Sequence, residues 1–218
     1  MQLVFDFDGV LADSRQVVLG LINEVALRRG QAPLAASELA ALRSGDLIAR
    51  WRIPFYQVPL YLHRARRQMA ARWRQLALFD EAAQAVAWAA GRGVPMAILS
   101  SNAPAAIRGF VAHLLPRVAF REIVGNVPLF GKHRALKRLV RRHRWPPHQV
   151  VYIGDESRDM QAAARAQVAG VAVGWGKEQP AMLLAAGALW VAQSGEEMIR
   201  RLGDLESSGQ RRPPAPAR

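Results

Sequence analysis

Asp6 and Asp8 stand in the run Leu3-Val4-Phe5-Asp6-Phe7-Asp8-Gly9-Val10, whose apolar residues would otherwise make an ordinary buried strand. Desolvating a carboxylate costs on the order of several kcal/mol unless a counter-charge or a metal meets it. The two aspartates therefore belong at the exit of a strand, facing something cationic. Similar groups recur at comparable places: Ser101-Asn102 after "MAIL", Lys132 after Gly131, and Asp155, Glu156 and Asp159 after "VVYIG". Asp6, Asp8, Asp155 and Asp159 gathered on one edge would repel one another without a divalent cation and a lysine. Oxygen ligands in a chain with no cysteine favour a hard ion, Mg²⁺ most simply. Such an ion, with Lys132, Ser101 and helix N-termini, forms a cradle for a phosphoryl group. An aspartate in that cradle can attack phosphorus and become an aspartyl phosphate.

These residues meet only if strands deliver them to a common edge, as an open parallel α/β sheet does at the carboxyl ends of its strands. Residues 3–7 read as a short buried strand closed by Gly9. From Ser14, Val17, Val18, Leu21, Ile22, Val25 and Ala26 recur at helical spacing, with Asp13 and Ser14 read as capping residues. Pro33 and Ser37 mark a turn into a second helix through Ala40 and Leu42, and Pro59 opens a third that runs to about Leu78. Helix follows helix without a strand, so residues 15–80 read as an all-helical insertion whose Trp and Tyr residues form a small core.

After residue 80 the pattern alternates. Helices are expected over 81–92, 105–115, 131–143 and 162–166, and strands over 96–99, 118–124, 150–154, 170–173 and 189–192. Repeated β-then-α units imply a parallel sheet with helices on both faces. Residues 207–218, "SSGQRRPPAPAR", have the composition of a disordered end.

With 218 residues, 51% hydrophobic, the chain suits one medium domain or a core with an insertion. No apolar run approaches the roughly 18–20 residues of a membrane span. Asp6 and Asp8 interrupt what a secretory signal would keep apolar, so a cytoplasmic protein with no membrane partner is expected. The net charge of +13 is carried almost wholly by arginine, since Lys132, Lys137 and Lys177 are the only lysines. Nucleic acid and anionic substrates both fit that charge; arginines on solvated faces are the plainer reading. The five histidines show no ligand spacing, and Glu156 and Arg158 read as loop or salt-bridge residues.

"DFDGVLADS", "ILSSN", Gly131-Lys132 and "YIGDESRD" resemble, in order, the four motifs of the haloacid dehalogenase-like phosphohydrolases, and among them the phosphoglycolate phosphatase-like members with a helical cap. The resemblance implies an α/β fold: a Rossmann-like parallel sheet flanked by helices, with a small all-helical cap inserted after the first strand. Residues 1–14 and 81–206 would form the core and 15–80 the cap. Asp80-Glu81 stands where relatives often carry Pro-Gly, at the return from the cap.

Carried residue by residue, the resemblance implies Asp6 as nucleophile. Asp8 would be the acid that protonates the leaving alcohol and then the base that activates water. Mg²⁺ would be held by Asp6, the backbone carbonyl of Asp8 and Asp155, with Asp159 in direct or outer contact. Ser101 and Lys132 would bind phosphoryl oxygens, and Asn102 with the backbone amides after Asp6 would complete the cradle. The implied substrate is a small phosphorylated metabolite, with phosphoglycolate a candidate. A phosphomutase keeps the same four motifs, and a regulatory protein could use the basic surface to hold nucleic acid or another anion.

Overall fold

The computed structural model describes residues 1–41, 49–128 and 131–208. Six strands form one parallel sheet: β1 (Gln2–Phe5), β4 (Met96–Leu99), β5 (Glu122–Val124), β6 (Val150–Gly154), β7 (Ala169–Val173) and β8 (Val191–Ala192). Their order is β5-β4-β1-β6-β7-β8, so the chain runs outward in both directions from β1. The carboxyl ends of β4, β1 and β6 thus lie side by side where the strand order reverses, the place at which such sheets bind ligands.

Apart from Gln2 in β1 and Glu122 in β5, the strands are apolar because both faces are covered. Side chains alternate between two layers, as the two-residue period of a strand requires. Leu3, Phe5, Met96, Ile98, Val151 and Ile153 enter one core. That core is closed by α4 (Asp80–Gly91), α5 (Pro104–Leu114) and α9 (Gly195–Ser208). Val4, Ala97, Leu99, Val150 and Tyr152 enter the other, under α6 (Lys132–Arg142) and α7 (Ser157–Ala166). Helix α6 turns Ala135, Leu136, Leu139 and Val140 inward and its arginines outward. A short helix α8 (Pro180–Ala185) follows β7, seating the fully buried Leu183. No described helix is long and apolar enough to cross a membrane.

Between β2 (Ala12–Asp13) and β3 (Ala77–Leu78) lie α1 (Arg15–Arg28), α2 (Ala36–Ala41), α3 (Val58–Ala71) and two 3₁₀ turns, with no strand among the described residues. Strands β2 and β3 pair antiparallel, Ala12 with Leu78 and Asp13 with Ala77, and tie the two ends of this helical segment together. Sequence periodicity cannot register a strand of two residues, which is why the third helix was expected to continue to Leu78. It stops at Ala71, and the chain passes through the 3₁₀ turn Trp73–Gln75 into β3.

Trp73 packs over α5 where Gly109 leaves room; a Cβ there would lie 2.7 Å from the indole. It therefore belongs to the sheet core and not to the small helical core, which holds Ala26, Leu34 and Trp51. Tyr56 was also expected inside, yet it is 78% exposed, and its neighbour Phe55 is 89% exposed. They occupy a short 3₁₀ turn after the extended Pro54. The first strand ends at Phe5, two residues early, because the chain turns at Phe7. Strand β5 begins only at Glu122. Leu42, Arg43 and Asp46 lie outside the described residues, as does the tail beyond Ser208; its first two residues, Ser207 and Ser208, continue α9.

Leu136 is fully buried between α6 and the sheet. Leu136→Ala is expected to lower unfolding stability by about 2–5 kcal/mol, measured by urea denaturation.

Candidate active site

Asp6 leaves β1 with its N–H still donating to the Ile153 carbonyl at 2.9 Å, so the aspartate is positioned by the sheet itself. The chain then folds back tightly: Leu11 and Ala12 both donate to the Phe7 carbonyl at 2.9 Å. Gly9 takes φ +78°, a conformation that side-chain-bearing residues rarely adopt, and a Cβ on it would run into the Asp155 carboxylate. Asp155 follows β6 directly. Asp159 lies in the first turn of α7, where it forms a reciprocal capping box with Glu156. Lys132 is the first residue of α6.

These elements bring four of the expected residues into contact. Asp6 Oδ1 accepts the Phe7 N–H at 2.8 Å, and Asp6 Oδ2 accepts the Lys132 ammonium. Lys132 Nζ also donates to Asp159 Oδ1 at 2.5 Å, and the Tyr152 hydroxyl donates to the same oxygen at 3.3 Å. One oxygen each from Asp6, Asp155 and Asp159 lie within 4.8 Å of one another. All four residues are buried, Lys132 at 3% exposure.

The Asp8 carboxylate stands apart from that cluster. Its Oδ2 accepts a long bond of 3.5 Å from the Asn102 side-chain amide, and the Ser14 side chain helps to stabilise the charged carboxylate. Asp8 Oδ1 is buried without a hydrogen-bond partner. Ser14 does precede α1, but it makes no side-chain cap. Asp13 instead accepts the Arg15 N–H at 3.1 Å and pairs with the Arg15 guanidinium. At the end of β4, Ser100 is buried and its Oγ accepts the Asn102 N–H at 3.1 Å. Ser101 is half-buried and carries no such tie. Glu156 pairs with Arg158 and Lys177, as a salt-bridge residue would.

Residues 3–173 match the family described as haloacid dehalogenase-like hydrolase. The chain belongs to that family. This haloacid dehalogenase-like hydrolase is 32% identical over 206 residues to a phosphoglycolate phosphatase from Synechococcus elongatus, covering 93% of this chain and 97% of the relative. In fold it is similar to a structure described as a predicted phosphatase from Clostridium acetobutylicum, with a TM-score of 0.80 at 17% identity over 94% of this chain and 98% of the other. It is also similar to a haloacid dehalogenase-like family hydrolase from Streptococcus pneumoniae, TM-score 0.77 at 19% identity, over 92% and 97% of the two chains.

Electrostatics in this hydrolase follow from crowding and burial. Burial, only partly offset by Lys132, pushes the Asp6 carboxyl up to about 7. Burial likewise raises Asp8 to about 6, against the stabilising side chain of Ser14, the Lys132 charge and Asn102. Asp155 is raised well above the carboxylate range by burial and then by the charges of Asp159 and Asp6. Burial alone would lower Lys132, but Asp6, Tyr152 and Asp159 outweigh it and keep the ammonium charged. One ammonium cannot neutralise three carboxylates. The donors are all hard oxygens, and the glycines at 9 and 176 leave free the space in front of Asp155 that a Cβ would fill. The site therefore fits a small divalent cation.

Residues that the sequence did not single out also build the site. Tyr152, in β6, turns its hydroxyl to Asp159, and residues 175–178 after β7 touch Asp155 and Val10. The second group had a usable signal, since "GWGKE" follows a strand of the same sheet and must emerge at the same edge.

A carboxyl group raised by burial binds its proton more tightly in the folded than in the unfolded chain, so it costs stability as pH rises above its unfolded value. Asp155→Asn is therefore expected to raise the melting temperature of the protein in EDTA. Its advantage over the wild type should widen from pH 5 to pH 8 in calorimetric scans, while the melting-temperature increase produced by MgCl₂ disappears.

Proposed function

We propose that this chain, a phosphatase of the haloacid dehalogenase-like family, is a Mg²⁺-dependent phosphomonoesterase that acts on a small phosphorylated metabolite through an aspartyl-phosphate intermediate. The observation that carries the reading is the contact set Asp6–Lys132–Asp159 with Asp155 alongside, all buried, at the carboxyl ends of β1 and β6. Asp6, Asp155 and the Asp8 carbonyl would hold Mg²⁺, with Asp159 beside them. The bound ion supplies positive charge that offsets the phosphoryl oxygens and lets the carboxylates stay ionised.

Asp6 attacks phosphorus and the ester P–O bond breaks. Asp8 gives its proton to the departing alkoxide, so an alcohol leaves and Asp6 carries the phosphoryl group. Asp8 then takes a proton from water as the water oxygen attacks phosphorus, releasing inorganic phosphate and restoring Asp6. Asp8 suits both roles. Its unpartnered Oδ1 is the atom available to hold a proton, and its value of about 6 lies near working pH, as acid–base catalysis favours. Lys132 holds Asp6 in place and offers charge to the phosphoryl group. Ser101 and Asn102, at the end of the adjacent strand, complete the cradle, with Ser100 occupied in supporting Asn102.

The helical segment, assigned to residues 15–80 as a cap over a core of 1–14 and 81–206, would set substrate choice. Phosphoglycolate is the leading candidate, on the 32% identity to a phosphoglycolate phosphatase over nearly the whole chain.

Purified protein is expected to release phosphate from an aryl phosphate with MgCl₂ and not in EDTA. Asp6→Asn should fall to the uncatalysed rate, and Asp8→Asn should lose about 10²–10⁴-fold in kcat. Wild-type turnover in EDTA, or full turnover by Asp6→Asn, would overturn the mechanism. Phosphate release from phosphoglycolate and other phosphorylated metabolites, compared by kcat/KM, identifies the substrate.

A further inference from the structure

The segment that follows β7 leaves the sheet at the same edge as Asp6 and Asp155 and touches both loops that carry them. Trp175 Nε1 donates to the Val10 carbonyl at 3.2 Å, bracing the tight turn after Asp8. Lys177 N–H donates to Asp155 Oδ2 at 3.0 Å, and Glu178 N–H donates to the Asp155 carbonyl at 3.3 Å. The Glu178 carboxylate accepts the Ser157 N–H at 2.8 Å and also the Ser157 hydroxyl. Between these contacts sits Gly176. A Cβ there would overlap the Asp155 side chain and approach the Gly9 carbonyl to 2.9 Å. The backbone comes this close only because residue 176 has no side chain.

We propose that Trp175–Gly176–Lys177–Glu178 is a positioning clamp that sets the affinity of the site for its divalent cation by fixing the orientation of Asp155 against the Gly9–Val10 turn. The Trp175, Lys177 and Glu178 side chains meet Val10, Glu156 and Ser157, and the clamp acts through Asp155 and through the turn. Partners that orient a metal's ligands typically govern its affinity by about 10–100-fold. The inference rests on the Mg²⁺ reading given above.

The same loop supplies its own control. A Cβ on Gly174 would also meet a neighbour too closely, but that neighbour is the Gln193 side-chain amide, away from Asp155. Titration calorimetry of MgCl₂ into the full chain, with the melting-temperature increase at saturating MgCl₂ as a second readout, separates the cases. Gly176→Ala is expected to bind Mg²⁺ about 10–100-fold more weakly than the wild type. Gly174→Ala should keep wild-type affinity even if its melting temperature falls.

Should Gly176→Ala fail to fold, Trp175→Phe carries the test: the ring stays, the donor to Val10 is lost, and affinity should drop about tenfold at the low end of that range. The clamp is overturned if a folded Gly176→Ala binds as tightly as the wild type. It is also overturned if Gly174→Ala weakens binding as much, or if Trp175→Phe, used in its place, leaves affinity unchanged. A wild type that neither binds Mg²⁺ nor gains stability from it instead removes the Mg²⁺ reading, a result distinct from failure of the clamp.

Discussion

Three buried carboxylates share one buried ammonium at the edge of the sheet, and most of the local architecture follows from that imbalance. Asp6, Asp155 and Asp159 approach within 4.8 Å, and among the described residues Lys132 is the cation hydrogen-bonded to Asp6 and Asp159. Solvent would relieve the repulsion, but all four groups are buried. The folded chain thus holds its acidic groups in a state that favours protonation or a cation. The stress is tolerable because strong backbone pairing anchors each loop: Asp6 is still in register with β6, and Asp155 follows a strand with two partners.

Several residues serve the packing and the site at once. Asp159 caps α7 with one oxygen and receives Lys132 and Tyr152 with the other. The apolar face of α6 is buried against the sheet, and this brings Lys132, at the helix's first turn, over the end of β1. Glycine does comparable work where backbones must pass close to carboxylates, at Gly9 and Gly176. The helical segment is also tied to the chemistry, because Ser14, directly before α1, helps to stabilise the charged Asp8 carboxylate. The β2–β3 ribbon and Trp73 fasten the other end of that segment next to α5.

Much of this was legible before any coordinates. The strands at 96–99 and 150–154 were readable residue for residue, because fully buried parallel strands leave unbroken apolar runs. Polar residues directly after such runs pointed to Asp6, Asp8, Ser101, Asn102 and Asp155. The ribbon of β2 and β3 was not legible, since two residues carry no period. Nor was the placement of the aromatic residues of the helical segment: Trp51 is inside, Phe55 and Tyr56 are outside, and Trp73 belongs to the sheet core. Aromatic character marks a residue fit for burial without saying which surface will cover it.

The sequence by itself determined which chemical groups are present, their order, and the strand ends at which they emerge, because hydrophobic period and chain direction are local properties. It also determined the α/β class and the family. Only the tertiary structure decided that Asp8 faces Ser14 and Asn102 while Asp6, Asp155 and Asp159 converge, and that the loop after β7 closes on Asp155. Those contacts join residues up to 165 positions apart, as Trp175 and Val10 are. Distances of that kind are set by how strands order themselves in the sheet and how helices pack on it, which no local pattern encodes.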